Sequence, residues 1–135
     1  GGGLRIVSET GCRLPLYCTS QGKLFLAYCS SEAEQHRLLR AHPPVSHTPH
    51  TITEPGQLME ELRRVRAQGY AVEDGEFHIG LRSVSAPVFG PGGGLQYALG
   101  AVGLFRRTTA PEFTLATRLA TDYAAQISAE LKALS

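Results

Sequence analysis

The sequence predicts an α+β domain. An antiparallel sheet carries a long C-terminal helix on one face, with shorter helices and loops over a ligand pocket on the other. Three observations point there. Leu115, Leu119, Tyr123, Ile127 and Leu131 recur every fourth residue, the spacing of one side of a helix. Residues 82–89 and 95–104 read as strands joined by the turn "GPGGG", a hairpin. Three helix-like stretches precede that hairpin, so helices and strands are segregated rather than alternating.

In chain order, residues 4–8 and 14–17 read as short extended segments around "ETGCR". Thr19 caps a helix over "SQGKLFLAYC", in which Gly22 costs about 1 kcal/mol relative to Ala. "SSEAEQHRLLRAH" is a second helix, capped by Ser31 or Ser30 and stopped by Pro43 and Pro44. "VSHTPHTITEP" is a loop. Thr53 starts a third helix with Glu54, Pro55 and Gln57 in its first turn. Its apolar stripe is Leu58, Leu62 and Val65, Glu60 faces Arg64 one turn on, and Gly69 ends it. A strand over 70–74 and the hairpin follow. Thr109 caps the terminal helix, with Pro111 and Glu112 in its first turn and Ala116, Ala120 and Ala124 beside the large ladder.

Parity divides the sheet into two unlike faces, because successive side chains of a strand point to opposite sides. Val84, Ala86 and Val88 share a face, paired with Leu95, Tyr97, Leu99 and Ala101, as core beneath the terminal helix. Leu81, Ser83 and Ser85 share the other, with Ala98, Gly100 and Val102. A face of small, weakly polar side chains roofed by loops and short helices leaves volume. Ligand pockets are concave, mostly apolar and carry a few placed polar groups.

The totals narrow the class. A chain of 135 residues fits one domain with a real core. Hydrophobic residues make up 42% and charged residues 19%, a globular balance. A net charge of +1 argues against a large nucleic-acid surface on this chain. No apolar run approaches the roughly 18 residues of a membrane helix, and no signal peptide is visible, so the expected setting is the cytoplasm and no membrane partner is expected. Three cysteines without a CxxC fit reduced thiols better than a disulfide scaffold.

Individual residues admit sharper readings that weigh less. Cys18, just before a helix N-terminus, could be a nucleophile or redox sensor, but reads better as a small buried apolar residue. Cys29 reads as core, and a Cys12–Cys18 pair is conceivable. His42, His47 and His50, with Cys29 or His36, match no usual zinc spacing. Arg82 shares parity with Val84 and reads as half of a structural salt bridge. Gly92, Gly93 and Gly94 form a hairpin tip rather than a phosphate loop, since no Lys and no helix follow. No cofactor and no metal are called for.

Taken together, "LPLYCTSQGKLFLA", "TPHTITEPGQLMEELRRVRAQGYAVEDGEFHIGLRSVSAPVF" and the terminal "AAQISAEL" resemble the bacterial IclR-type transcriptional regulators over residues 4–134. The resemblance implies a GAF-like effector-binding domain covering residues 1–135. It implies a fragment of a longer regulator, whose N-terminal winged helix-turn-helix and first strands lie outside this sequence. Operator DNA would be met only through that module. It implies self-association as a dimer or dimer of dimers, and a small organic effector as ligand.

Carried over position by position, the family's pocket falls on Ser20 and Gln21, on Glu73 where Asp is usual, on Leu81 and Ser83 where the family has Leu and Cys, and on Gly100 and Val102 where some relatives carry serines. With Ala98 from the same face, these are the expected ligand contacts. The lost hydroxyls disfavour a very small hydrophilic acid and favour an aromatic or branched one. The expected function is effector sensing without chemistry, and no catalytic residue is assigned. The rival is a small GAF-type enzyme with cysteine redox chemistry, such as a sulfoxide reductase. A third reading is an oligomerisation module with no ligand.

Overall fold

A computed structural model describes residues 14–135. The expected extended segment at 4–8 and Cys12 lie outside the described residues. Residues 14–17 form no strand, and bends run over 16–19. Thr19 Oγ1 donates to the carbonyl of Pro15 and folds this segment back onto the helix it precedes.

Four helices and three strands follow: α1 Ser20–Cys29, α2 Glu32–Ala41, α3 Pro55–Gln68, β1 Ala71–Asp74, β2 Arg82–Phe89, β3 Leu95–Gly103 and α4 Pro111–Ala133. Thr19 caps α1 by accepting from the Gly22 N–H. A Cβ at Gly22 would stand 2.5 Å from the Leu16 Cα, so the same close approach that folds the entry back onto the helix requires glycine there. Ser31 and Glu34 form a reciprocal capping box on α2.

Two expected caps are displaced. Glu54, not Thr53, caps α3, its carboxylate accepting from the N–H groups of Gly56 and Gln57. Ala110, not Thr109, occupies the cap of α4 and supplies no side-chain bond, Pro111 needing none at the first helical position. Arg64 pairs with Glu61 at 3.4 Å rather than with Glu60.

The sheet is antiparallel in the order β1-β2-β3. Its register joins Glu73, Ser83 and Val102 across the three strands, and likewise Ala71, Ser85 and Gly100. Cross-strand partners share a face, so the two faces inferred from parity are present. A register shift at Val88/Phe89 moves Leu95 off the expected side. Leu95 and Ala98 pack on the cluster built from α1, α3 and Ala71, with Leu24, Leu58, Leu62 and Val65 at its centre. The opposite cluster joins Val84, Ala86 and Val88 to α4.

The face α4 turns to the sheet differs from the expected one. Phe113, Ala120 and Ala124 are buried, with Ala116 and Leu131 packed against the same cluster. Leu115, Leu119 and Tyr123 are 45%, 44% and 57% exposed. A strict four-residue ladder overshoots one turn by about 40° per step, so it winds about 160° around the helix between Leu115 and Leu131. Mixed steps of three and four keep Phe113, Ala116, Ala120, Ala124 and Leu131 on one side. The small alanines let the helix axis approach the sheet, and the bulky ladder is turned outward. Cys29, expected in the core, is exposed at the end of α1.

Candidate functional site

α1 lies across the sheet face that carries the serines. Ser20, its first residue, meets Ser85 with the two Oγ atoms 2.7 Å apart, and accepts from the Ser83 hydroxyl at 2.8 Å. Ser83 Oγ is also 3.3 Å from Glu73 Oε1. Ser20, Ser83, Ser85 and Glu73 thus form one chain of polar groups, all buried. Gln21 is half-buried at its mouth, its Oε1 3.4 Å from the Ser20 hydroxyl.

A buried ion pair adjoins the chain. Lys23 is fully buried and donates to Glu76 Oε1 and Oε2 at 3.1 and 2.9 Å and to the carbonyl of Val72. Glu61 of α3 lies 3.6 Å from the same ammonium. Glu76 Oε2 also accepts the Asp74 N–H at 3.0 Å. Lys23 and Glu76 together occupy backbone groups of Val72 and Asp74. Sequence reasoning gave Lys23 no role and read Glu76, with Glu73 and Asp74, as a solvated acidic loop rather than a general base with neighbours. The signal was Lys23 itself, a charge standing between apolar positions in "GKLFLA".

Glu73 is the poorly satisfied member. Its Oε2 is buried and, among the described residues, has no hydrogen-bond partner. Burial, reinforced by Glu76, holds this carboxyl above the ordinary value of 4.5, against the smaller pull of the Phe77 N–H, the Ser83 hydroxyl and Lys23. Cys18 is also fully buried. Burial above all pushes its thiol up to about 12. A thiolate nucleophile needs the opposite environment.

The remaining expected residues sit around this chain in different settings. Gly100 and Val102 are exposed and Ala98 is half-buried, so the β3 end of the face is uncovered by the described residues. Leu81 precedes β2, in a turn where its carbonyl accepts the Gly75 N–H and its N–H donates to His78. Gly100 does not leave free space: a Cβ there would stand 3.0 Å from the Val84 carbonyl oxygen and 3.1 Å from Ser85 Oγ. Arg82 binds Asp74 at 2.6 Å and the Phe105 carbonyl, the structural role its parity suggested. His47 stacks beside Tyr17 and meets Phe77 edge-on. Among the described residues, no three His, Cys, Asp or Glu side chains are grouped as a metal site.

A separate open cleft of about 480 Å³ runs between α3 and α4, over Tyr70, Val72 and Phe113, with Arg64 and Arg118 at its walls. None of the expected ligand residues lines it, and it carries no chain of buried polar groups. The serine and glutamate cluster is the better candidate on chemical grounds. No described helix is long and apolar enough to cross a membrane.

Comparison with known proteins agrees with the fold. The profile of the family described as "Bacterial transcriptional regulator IclR C-terminal" matches residues 3–129. The chain is 38% identical to the uncharacterized HTH-type transcriptional regulator RhmR of Escherichia coli, over 74% of this chain and 38% of that protein. It is 37% identical to the Pca regulon regulatory protein of Pseudomonas putida, over 67% of this chain and 31% of that protein. The chain therefore spans about a third of those relatives. Among solved structures, the Thermotoga maritima IclR matches 96% of this chain and 52% of its own, with TM-score 0.83 and 32% identity. The inducer-binding domain of a PobR double mutant from Acinetobacter, solved as a 3-hydroxybenzoic acid complex, matches 98% of this chain and 75% of its own, with TM-score 0.79 and 25% identity.

Proposed function

The chain belongs to the IclR C-terminal family of bacterial transcriptional regulators, and from that premise we propose that it senses an aromatic or branched organic acid and passes the signal to a DNA-binding module outside this sequence. The observation that carries the reading is the buried chain Ser85–Ser20–Ser83–Glu73 next to the bare β3 surface of Gly100 and Val102. The ligand's polar end meets the chain, and its apolar body lies over Val102 and Ala98, with Gln21 and Leu81 at the margins. Apolar contact there contributes about 25 cal/mol per Å² buried, which a two- or three-carbon acid cannot collect. Binding shifts the regulator only if the ligand prefers one state of the whole protein, and self-association is the natural route for that coupling. The domain itself performs no reaction. The thiol-chemistry alternative loses support from Cys18, buried with its thiol pushed up to about 12.

The test is titration calorimetry with 3-hydroxybenzoate, a branched 2-oxo acid and glyoxylate. The larger acids are expected to bind at least about tenfold more tightly than glyoxylate, roughly 1.4 kcal/mol. Val102→Glu should abolish binding with the fold intact, because residue 102 is exposed and the new charge repels the acid. Preference for glyoxylate, or binding untouched by Val102→Glu, refutes the placement.

A further inference from the structure

The buried carboxyl of Glu73 lacks the partners that an ionised group would need. The Lys23 ammonium has three protons. All three are engaged, by the Val72 carbonyl and the two oxygens of Glu76. None remains for Glu73: among the described residues its carboxyl meets only the Ser83 hydroxyl at 3.3 Å and the pull of the Phe77 N–H, and its Oε2 has no partner. An ionised carboxylate buried in that state is strongly disfavoured, and such a group takes a proton instead. Among the described residues, the other titratable groups near Glu73 do not change this. Cys18 precedes α1, Glu61 on α3 and Glu76 after β1 are carboxylates, and the β2 and β3 residues on this face (Ser83, Ser85, Pro87, Ala98, Gly100 and Val102) carry no charge.

We propose that Glu73 serves the effector site as a neutral acid, a hydrogen-bond donor at Oε2 waiting for an acceptor oxygen that the ligand supplies, so that ligand recognition is linked to one proton. This rests on the effector reading above. A carboxylate or ketone oxygen of the ligand accepts that proton in a hydrogen bond. The hydroxyls of Ser20, Ser83 and Ser85 can each reverse direction and supply further donors to the same oxygen. A ligand offering only donors at this end is rejected, because it sets a donor against a buried donor. Above the raised pKa of Glu73, an anionic acid must first bring a proton in, and its affinity falls about tenfold per pH unit. Below it, affinity is flat.

Glu73→Gln separates the two roles of this residue. The amide keeps a donor and a similar shape, and it loses the titration. Two measurements on the protein decide the matter. The first is carbon-detected NMR of the Glu73 side-chain carboxyl in the free protein, assigned by its loss in Glu73→Gln. The Glu73 resonance is expected to stay in its neutral position to higher pH than those of the ordinary glutamates. An ordinary titration overturns the proposal. The second is calorimetry of 3-hydroxybenzoate against pH, in two buffers of different ionisation enthalpy. Wild type is expected to lose affinity at the high-pH end with uptake of one proton, while Glu73→Gln binds within about threefold of the low-pH wild-type value at every pH. Equal pH slopes in the two proteins, or no proton uptake, also overturn it. Absence of binding at any pH sinks the effector reading and the ligand half of this proposal, and the resonance still decides the protonation half.

Discussion

Replacing Lys23 by Met tests whether its ion pair holds the site together. The ammonium is fully buried, with Glu76 at 2.9 Å and Glu61 at 3.6 Å. Methionine fills similar volume but leaves two carboxylates facing each other and frees the Val72 carbonyl. Removing one partner of a buried pair costs about 3–5 kcal/mol, because the other charge stays behind. A domain of this size has about 5–15 kcal/mol in all, so Lys23→Met should lose about a fifth or more of its stability. The melting temperature should fall by about 10–20 °C. Urea unfolding followed by circular dichroism measures the loss as a lower midpoint at unchanged slope. The double variant Lys23→Met/Glu76→Gln should recover at least about 2 kcal/mol of it. The amide can still accept the Asp74 N–H that Glu76 Oε2 accepts at 3.0 Å. A single-variant loss below about 1 kcal/mol, or simple additivity in the double variant, would refute the reasoning.

Other outcomes follow from the same geometry. Stability should fall as pH rises above 4.5 through the raised folded value of Glu73, since the folded state then holds a proton that the unfolded chain has lost; urea midpoints against pH should show this slope in wild type and a flatter one in Glu73→Gln. Alkylation at neutral pH, read peptide by peptide by mass spectrometry, should label exposed Cys29 quickly and leave Cys18 protected; equal labelling would reopen the thiol chemistry. Phe113→Ala should cost about 3–5 kcal/mol while Leu119→Ala changes stability by at most about 0.5, and the reverse order would restore the large ladder as the buried face. Gly100→Ala should weaken the sheet, because its Cβ would press on the Val84 carbonyl oxygen at 3.0 Å.

The amino-acid sequence alone determined the local structure. Thr19, Ser31 and Gly69 announced helix ends because a capping hydroxyl or a left-handed residue acts on groups a few positions away. Strict alternation over 82–89 divided the sheet into two faces, and the register keeps that division for all but Leu95. The motifs quoted from residues 4–134 were sufficient to identify the family, which the profile match over 3–129 then showed. Tertiary structure decided what periodicity leaves degenerate. Two ladders run side by side on α4, and which one is buried depends on how near the axis must come to Val84, Ala86 and Val88, a distance set by the alanines. It also decided the polar cluster. Ser20 meets Ser85 across 65 positions of chain and Lys23 meets Glu76 across 53, and no local pattern encodes such a pairing. The protonation of Glu73 belongs to that second kind. It depends first on the burial of that carboxyl and then on neighbours such as Glu76 and Lys23, and only the folded chain brings those groups into one place.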